Sequence, residues 1–500
     1  MIKTIKDVLE NSTKRYPNKT IFSEVSREIS YEDFYDECSS GATFLIDKGL
    51  SGKNVLVFID KSINCLVAMF SSICATCVYT VADVTSPEKR LEKIIETLNP
   101  EAIITDEKNA SKCEHIDLPK YILEDMVKTM RDDEKIDMVN ARITDSTPLY
   151  VLFTSGSTGV PKGSVISHRS VIAYATDICE TFEINENTVF GSQTPFYFSM
   201  SILDIFATVL SGATFNIIPK MYFSFPVKLI EHLNTYKINT IYWVPSALGI
   251  VANLNTFETI KPKYLEKVLF AGETMPTKLL NTWRKYLPNI LYANLFGPTE
   301  ITDTGTYYIV DREFEDTEPL PIGKPFANCD VLVLDETGRE VLDGEVGELC
   351  FKGPFLGLGY YNNPDKTREI FVQNPANTSY PETIYKTGDL VKYNERGELM
   401  YLGRADFQIK HMGYRIELGE IESNIFAIDG VASCACIYDV QKSHIVLFYQ
   451  SNTIDEESMQ KSCKEKLLPY MLPNEIVKLE RMPMNANGKI DRVKLKEMER

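Results

Sequence analysis

Short apolar runs alternate with longer stretches of helical periodicity through the first four hundred residues. Asn54-Val-Leu-Val-Phe-Ile-Asp60 and Thr240-Ile-Tyr-Trp-Val-Pro245 are runs of strand length, whereas Pro87 to Leu98 spaces its apolar side chains as a helix does. Alternation of this kind predicts an α/β body with largely parallel sheets. From about Glu340 the pattern changes to short strands separated by glycine turns, in Asp335-Glu-Thr-Gly-Arg339, Asp343-Gly-Glu-Val-Gly347 and Asn394-Glu-Arg-Gly-Glu398. A β-rich subdomain of hairpins is expected there. After Gly403 comes a compact α+β unit with one strand pair and helices over Glu417 to Ala427 and Glu456 to Leu467. The expected division is therefore 1–403 for a large N-terminal domain, 404–406 for the junction and 407–500 for a small C-terminal lobe.

Length supports that division, because 500 residues exceed what one hydrophobic core organises. A chain 44% hydrophobic and 25% charged reads as an ordinary globular enzyme rather than a fibrous or disordered protein. Lys plus Arg number 53 against 70 Asp plus Glu, a net charge of −17 that repels nucleic acid and anionic membranes. Any anionic substrate must therefore meet local positive groups. Residues 404–500 hold 14 basic and 15 acidic residues, so almost all the excess lies before them, and Lys478 to Arg500 is locally positive, seven against four.

Eleven cysteines and a charged N-terminus, MIKTIKDVLENSTKRYPNK, without an apolar leader point to a reducing cytoplasm. Cys74-x-x-Cys77 has no second pair at metal-ligand spacing, and Cys434-x-Cys436 is too closely spaced for that pattern, so buried thiols are expected. Cys65 to Ala82 is the most membrane-like stretch, but it is too short and polar to span; a buried helix and strand are expected.

The strongest chemical signal is Thr154-Ser-Gly-Ser-Thr-Gly-Val-Pro-Lys-Gly163. Three glycines, four hydroxyls and one lysine in ten positions form a loop whose amides and hydroxyls can all face an anion, and a polyphosphate is the obvious guest. The Gly-Lys-Ser/Thr ending of a Walker loop is absent. Further markers follow in order: Phe296-Gly-Pro-Thr-Glu300, Gly347-Glu-Leu, Tyr385-Lys-Thr-Gly-Asp389, Gly403-Arg-Ala-Asp406, Lys410 with Gly413-Tyr-Arg-Ile-Glu417, Leu468-Pro-Tyr-Met-Leu-Pro473 and Asn487-Gly-Lys-Ile-Asp491. Over nearly its whole length the chain thereby resembles the adenylate-forming enzymes: acyl-CoA synthetases, luciferases and the amino-acid-activating domains of nonribosomal peptide synthetases.

The resemblance implies that ATP and Mg²⁺ are used to turn a carboxylic acid into an acyl-adenylate, which a thiol then intercepts. Carried over by motif, Thr154, Ser155, Gly156, Ser157, Thr158, Gly159 and Lys162 would hold the outgoing phosphates. Glu300 would ligate Mg²⁺ and Thr299 would contact the α-phosphate. Asn294 would bond the adenine amino group, Phe296 would pack on the adenine face, Asp389 would accept the ribose hydroxyls and Arg404 would reach ribose or phosphate. Lys489 would carry the adenylation step, Asp406 would be the hinge of a rotating C-terminal lobe, and Lys410 would come inward for thioester formation.

In amino-acid-activating members an Asp in a Phe-Asp-x-Ser pattern pairs with the substrate's α-ammonium. This chain has Ser199 there, in Phe198-Ser199-Met200-Ser201-Ile202-Leu203-Asp204, and carries a carboxylate at Asp303, a pocket position usually apolar or small. The expected substrate has its amine displaced from the α carbon, as in β-alanine or another ω-amino acid. The competing reading is a neutral aryl or hydroxy acid, with Ser199 as a hydrogen-bond partner and Tyr242 as a wall. Met200, Leu203, Leu269, Ala271 and Leu295 would complete the lining, or be plain core. Stand-alone D-alanine–carrier-protein ligases share the length and motifs, but Ser199 and Ala271 depart from their pocket. The chain ends eleven residues after Lys489, so a carrier protein is expected to supply the phosphopantetheine thiol in trans, with coenzyme A as the alternative. An acyl- or aryl-CoA ligase and an inactive nucleotide-binding scaffold are the rival functions; no nucleic-acid or membrane partner is expected.

Overall fold

The structure is a computed structural model that describes residues 2–155, 161–341, 344–404, 408–440, 442–484 and 490–498. By packing, the chain divides into two units: Met1–Val84, Leu98–Leu152 and Gly163–Gly403 form one, and Thr85–Thr97, Phe153–Lys162 and Arg404–Arg500 the other.

Two mixed sheets and one antiparallel sheet build the larger unit. In the first, the strands Thr20–Glu24, Thr214–Ile217, Val189–Ser192, Thr240–Trp243, Lys267–Phe270 and Leu291–Phe296 lie side by side and parallel. Arg27–Ser30 closes one edge antiparallel, and Thr306–Ile309 with Lys324–Pro325 closes the other. The second sheet centres on the parallel strands Val78–Val81, Asn54–Phe58 and Ala102–Thr105. Strands such as Val78–Val81 and Thr240–Trp243 are buried at every position, because helices cover both faces, which is why they read as unbroken apolar runs. The α/β class expected from the alternation is the class observed.

The hairpin region is a five-stranded sheet of Asp330–Leu334, Gly347–Lys352, Thr383–Tyr393, Phe371–Gln373 and Leu399–Arg404. Its turns fall at the expected glycines, with Gly338 and Gly397 at φ +83° and +72°. The membrane-like stretch becomes the helix Ile63–Cys74 and the strand Val78–Val81, both in the core. No helix among the described residues is long and apolar enough to cross a membrane. Ten of the eleven cysteines are buried and Cys179 is half-buried; burial pushes the Cys74 and Cys77 thiols up to about 12, which makes them inert packing residues.

The smaller unit has its own apolar core, built on Ile416, Ile421, Ile425, Leu447, Tyr449 and Met459. Helices Leu418–Phe426 and Glu456–Lys466 form where periodicity places them. One strand pair was expected; the structure has Val431–Asp439 with His444–Ser451, joined by a third strand, Glu475–Lys478, parallel to the second. Two exposed and two half-exposed residues give too weak an alternation to be read in advance. A separate hairpin, Gln408–His411 with Tyr414–Glu417, turns through Met412 and Gly413, both at positive φ.

Candidate active site

In open parallel sheets, ligands bind beyond the carboxyl ends of the strands. Three adjacent strands bring the expected acid-pocket residues together there: Tyr242 lies opposite Leu269, and Phe270 opposite Asn294. Leu269, Ala271 and Leu295 are at most 2% exposed and belong to the main core, as do Met200 and Leu203. After Phe296 the chain doubles back tightly. A Cβ on Gly297 would stand 2.5 Å from the Asp303 carbonyl oxygen and from the Thr304 Cα, so only glycine fits. Thr299–Ile301 makes one 3-10 turn, and Thr302 follows at φ +80°, an outlier for a β-branched residue. Its hydroxyl donates to the Phe355 carbonyl at 2.9 Å, which helps hold that strained geometry. The next side chain is Asp303.

Asp303 is 2% exposed. Its Oδ2 accepts the Tyr174 hydroxyl at 2.8 Å and the Tyr242 hydroxyl at 3.0 Å, and the Tyr174 hydroxyl also lies 2.9 Å from Thr304 Oγ1. Ser199 supplies a third hydroxyl. Burial pushes the Asp303 carboxyl up to about 7, while the three hydroxyls oppose that rise by bonding to the charged form. Burial beside Asp303 moves both phenols well above their usual range, so they remain neutral donors. Ser199 stands where a serine ordinarily caps a helix, here Met200–Ser211, yet it is in helical geometry and makes no cap bond. Its oxygen instead accepts the Thr299 hydroxyl at 3.2 Å.

Tyr174 was not legible as a site residue: it sits mid-helix in His168–Thr181, and its partner Asp303 is 129 residues away. A second buried carboxylate, Asp204, was equally unmarked. It is 1% exposed, and nearby Lys61 donates to the backbone carbonyl and to the hydroxyl of Ser192, both at 3.0 Å. Burial drives the Asp204 carboxyl upward, opposed by the Lys61 charge, and drives the Lys61 amine downward, opposed by Asp204.

Among the expected nucleotide residues, Asn294 is buried and donates its amide to the Pro321 carbonyl at 2.8 Å. Phe296 ends its strand with its ring 5.5 Å from that of Tyr401. Glu300 is 1% exposed and accepts the Tyr360 hydroxyl at 2.7 Å. Asp389 is 2% exposed in the strand Thr383–Tyr393, its backbone N–H donating to Thr387 Oγ1 at 2.9 Å. No group of three His, Cys, Asp or Glu among the described residues could hold a metal. A buried carboxylate such as Glu300 suits Mg²⁺, which takes one or two protein carboxylates and fills its shell with phosphate oxygens and water.

In the smaller unit, Thr154 ends the strand Pro148–Thr154 and Lys162 begins Lys162–Ser167. Ser155 Oγ donates to the Arg415 carbonyl at 2.7 Å and accepts from the Glu417 N–H at 3.2 Å; Lys162 Nζ lies 3.6 Å from Glu417 Oε1. Lys410 pairs in register with Arg415, and Arg404 ends the strand Leu399–Arg404. Gly156, Ser157, Thr158, Gly159, Asp406 and Lys489 lie outside the described residues.

The AMP-binding enzyme family matches residues 9–361. The chain belongs to that family. It is an ATP-dependent, AMP-forming enzyme of the acid–thiol ligase kind. The chain is 31% identical to the zwittermicin A synthase ZmaJ of Bacillus cereus, over 98% of this chain and 94% of that protein. It is 32% identical to an L-proline–[L-prolyl-carrier protein] ligase of Streptomyces coelicolor, over 93% and 91%. It is 30% identical to a Delta-poly-L-ornithine synthetase of Acinetobacter baumannii over 98% of this chain, but spans only 36% of that protein. Among solved structures, the Vibrio cholerae adenylation domain AlmE, in complex with glycyl-adenosine-5′-phosphate, superposes with a TM-score of 0.85 at 21% identity, covering 99% and 98% of the two chains.

Proposed function

We propose that this AMP-binding enzyme adenylates a small carboxylic acid whose cationic nitrogen is displaced from the α carbon, β-alanine or another ω-amino acid, and passes the acyl group to the phosphopantetheine thiol of a carrier protein. The Asp303 site carries this reading. A carboxylate surrounded by hydroxyls, with no ion pair among the described residues, bears a buried charge that a bound ammonium would compensate. Ser199 cannot do so, being neutral. The prolyl-carrier protein ligase, matched over 91% of its length, supports a carrier protein as the acceptor.

In the first step an oxygen of the acid bonds to the α-phosphorus of ATP, the bond from that phosphorus to the bridging oxygen breaks, and pyrophosphate leaves with the electron pair. In the second the thiolate sulfur bonds to the acyl carbon and AMP leaves, the thiol proton passing to solvent. Glu300 would hold Mg²⁺, which supplies charge neutralisation at the phosphates. Thr299 contacts the α-phosphate, Phe296 packs on adenine, Asp389 accepts the ribose hydroxyls, and Asn294, its amide N–H spent on Pro321, offers its carbonyl to the adenine amino group. The motif assignments for Thr154, Ser155, Lys162, Arg404, Asp406, Lys410 and Lys489 complete the proposal.

Acid-dependent pyrophosphate exchange across amino, hydroxy and aryl acids tests it. The wild type is expected to favour ω-amino acids, and Asp303→Ala to depress their exchange more than that of neutral acids. If neutral aryl acids are the only good substrates, the displaced-amine assignment is wrong, and Asp303 then works as a protonated donor. Free coenzyme A offered to preformed adenylate distinguishes a carrier-loading enzyme from a CoA ligase.

A further inference from the structure

Glu300 is held from two directions by one stretch of chain. Its backbone carbonyl accepts the Gly357 N–H at 2.8 Å, and its Oε1 accepts the Tyr360 hydroxyl at 2.7 Å. The approach is close enough to exclude side chains: a Cβ on Gly357 would lie 3.0 Å from the Glu300 carbonyl oxygen and 2.8 Å from that of Val165. Tyr360 is itself fixed at every level. Gly359 precedes it at φ +115°, with a Cβ there only 2.5 Å from Thr367. The Tyr360 N–H donates to Thr367 Oγ1 at 2.9 Å, and Tyr360 pairs in antiparallel register with Ser164. Thr367 lies in the helix Pro364–Ile370, which Asn363 caps by accepting the Lys366 N–H. The Tyr360 ring is 7% exposed and meets the Phe371 ring edge-on, with centroids 6.0 Å apart.

A glutamate side chain is flexible, and freezing it on a cation costs rotamer freedom. A phenol on a rigid strand that donates to the carboxylate has already frozen it. We propose that Tyr360 is a positioning residue for Glu300, holding its carboxylate in the one rotamer that receives the divalent cation accompanying the nucleotide. This rests on Glu300 being that cation's ligand. The sequence marks Glu300 through its motif but leaves Tyr360 unmarked, sixty residues downstream.

The test uses the full chain with a non-hydrolysable ATP analogue and Mn²⁺ as the probe, free Mn²⁺ being read by electron paramagnetic resonance. Tyr360→Phe keeps the ring and removes only the hydroxyl. It is expected to raise the half-saturating Mn²⁺ concentration about tenfold, the scale of one hydrogen bond to a charged group. Analogue affinity without metal should stay at the wild-type value. Glu300→Gln serves as the reference. If Glu300→Gln weakens Mn²⁺ binding and Tyr360→Phe does not, the positioning role is overturned while Glu300 keeps its own. If Glu300→Gln leaves Mn²⁺ binding unchanged, the ligand assignment fails and the inference with it. A purely structural role for Tyr360 would lower the unfolding midpoint without moving the Mn²⁺ concentration, and that result also refutes it.

Discussion

Removing the Tyr242 hydroxyl should move the pH at which the enzyme accepts its substrate. Asp303 Oδ2 has two phenol donors, at 2.8 and 3.0 Å, and burial holds its carboxyl at about 7. A hydrogen bond to a charged group contributes about 1.5–3 kcal/mol. The lost bond favoured the ionised form, so Tyr242→Phe raises the Asp303 midpoint further, by about one to two pH units. At pH 7 the ionised fraction then falls from about one half to between about one tenth and one hundredth. Because an alkylammonium stays charged to around pH 10, the substrate does not titrate in this window. The assay is the pH profile of kcat/KM for pyrophosphate exchange with β-alanine. In Tyr242→Phe it should be about 5- to 50-fold low at pH 7 and approach the wild-type value near pH 9 to 9.5. An acid limb at the wild-type position, or a deficit equal at every pH, would refute the claim that Asp303 must be ionised to take the substrate. Tyr174→Phe should behave alike, with added loss because its hydroxyl also reaches Thr304.

The same carboxylate should show in stability. Its folded pKa lies above the unfolded value, so its favourable effect is present below about pH 4 and is lost as pH rises to about 7. Asp303→Asn, measured without ligands by thermal unfolding, should therefore gain on the wild type across that window and level off above it; a constant difference from pH 4 to 8 would contradict a buried carboxyl titrating near neutrality. Lys489→Ala should abolish acid-dependent pyrophosphate exchange, a loss of about 10²–10³-fold or more if it contacts the transferring group. Asp406→Pro should spare exchange and block thioester formation, and equal loss of both reactions in each variant would contradict that division of labour.

The primary sequence by itself determined the architecture and the family. Strands such as Thr240–Trp243 are buried on both faces and declare themselves as apolar runs, while turn glycines at 338 and 397 mark hairpins because the backbone there needs positive φ. Ordered motifs likewise pointed to candidate nucleotide residues, since phosphate, ribose and metal recognition each demand particular side chains at short, regular spacing. Only the tertiary structure decided how the buried carboxylates Asp303 and Glu300 are wired. Nothing in the local pattern distinguishes Tyr174 from other helix-core tyrosines, or Tyr360 from other strand aromatics; each acquires its role by placing one hydroxyl on a carboxylate 129 or 60 residues away. Ser199 looks like an ordinary helix cap until the fold turns its hydroxyl to Thr299 instead. The reason is physical: backbone and apolar patterning are local and repetitive, whereas a buried charge is governed by whichever few groups the folded chain brings within hydrogen-bonding distance of it.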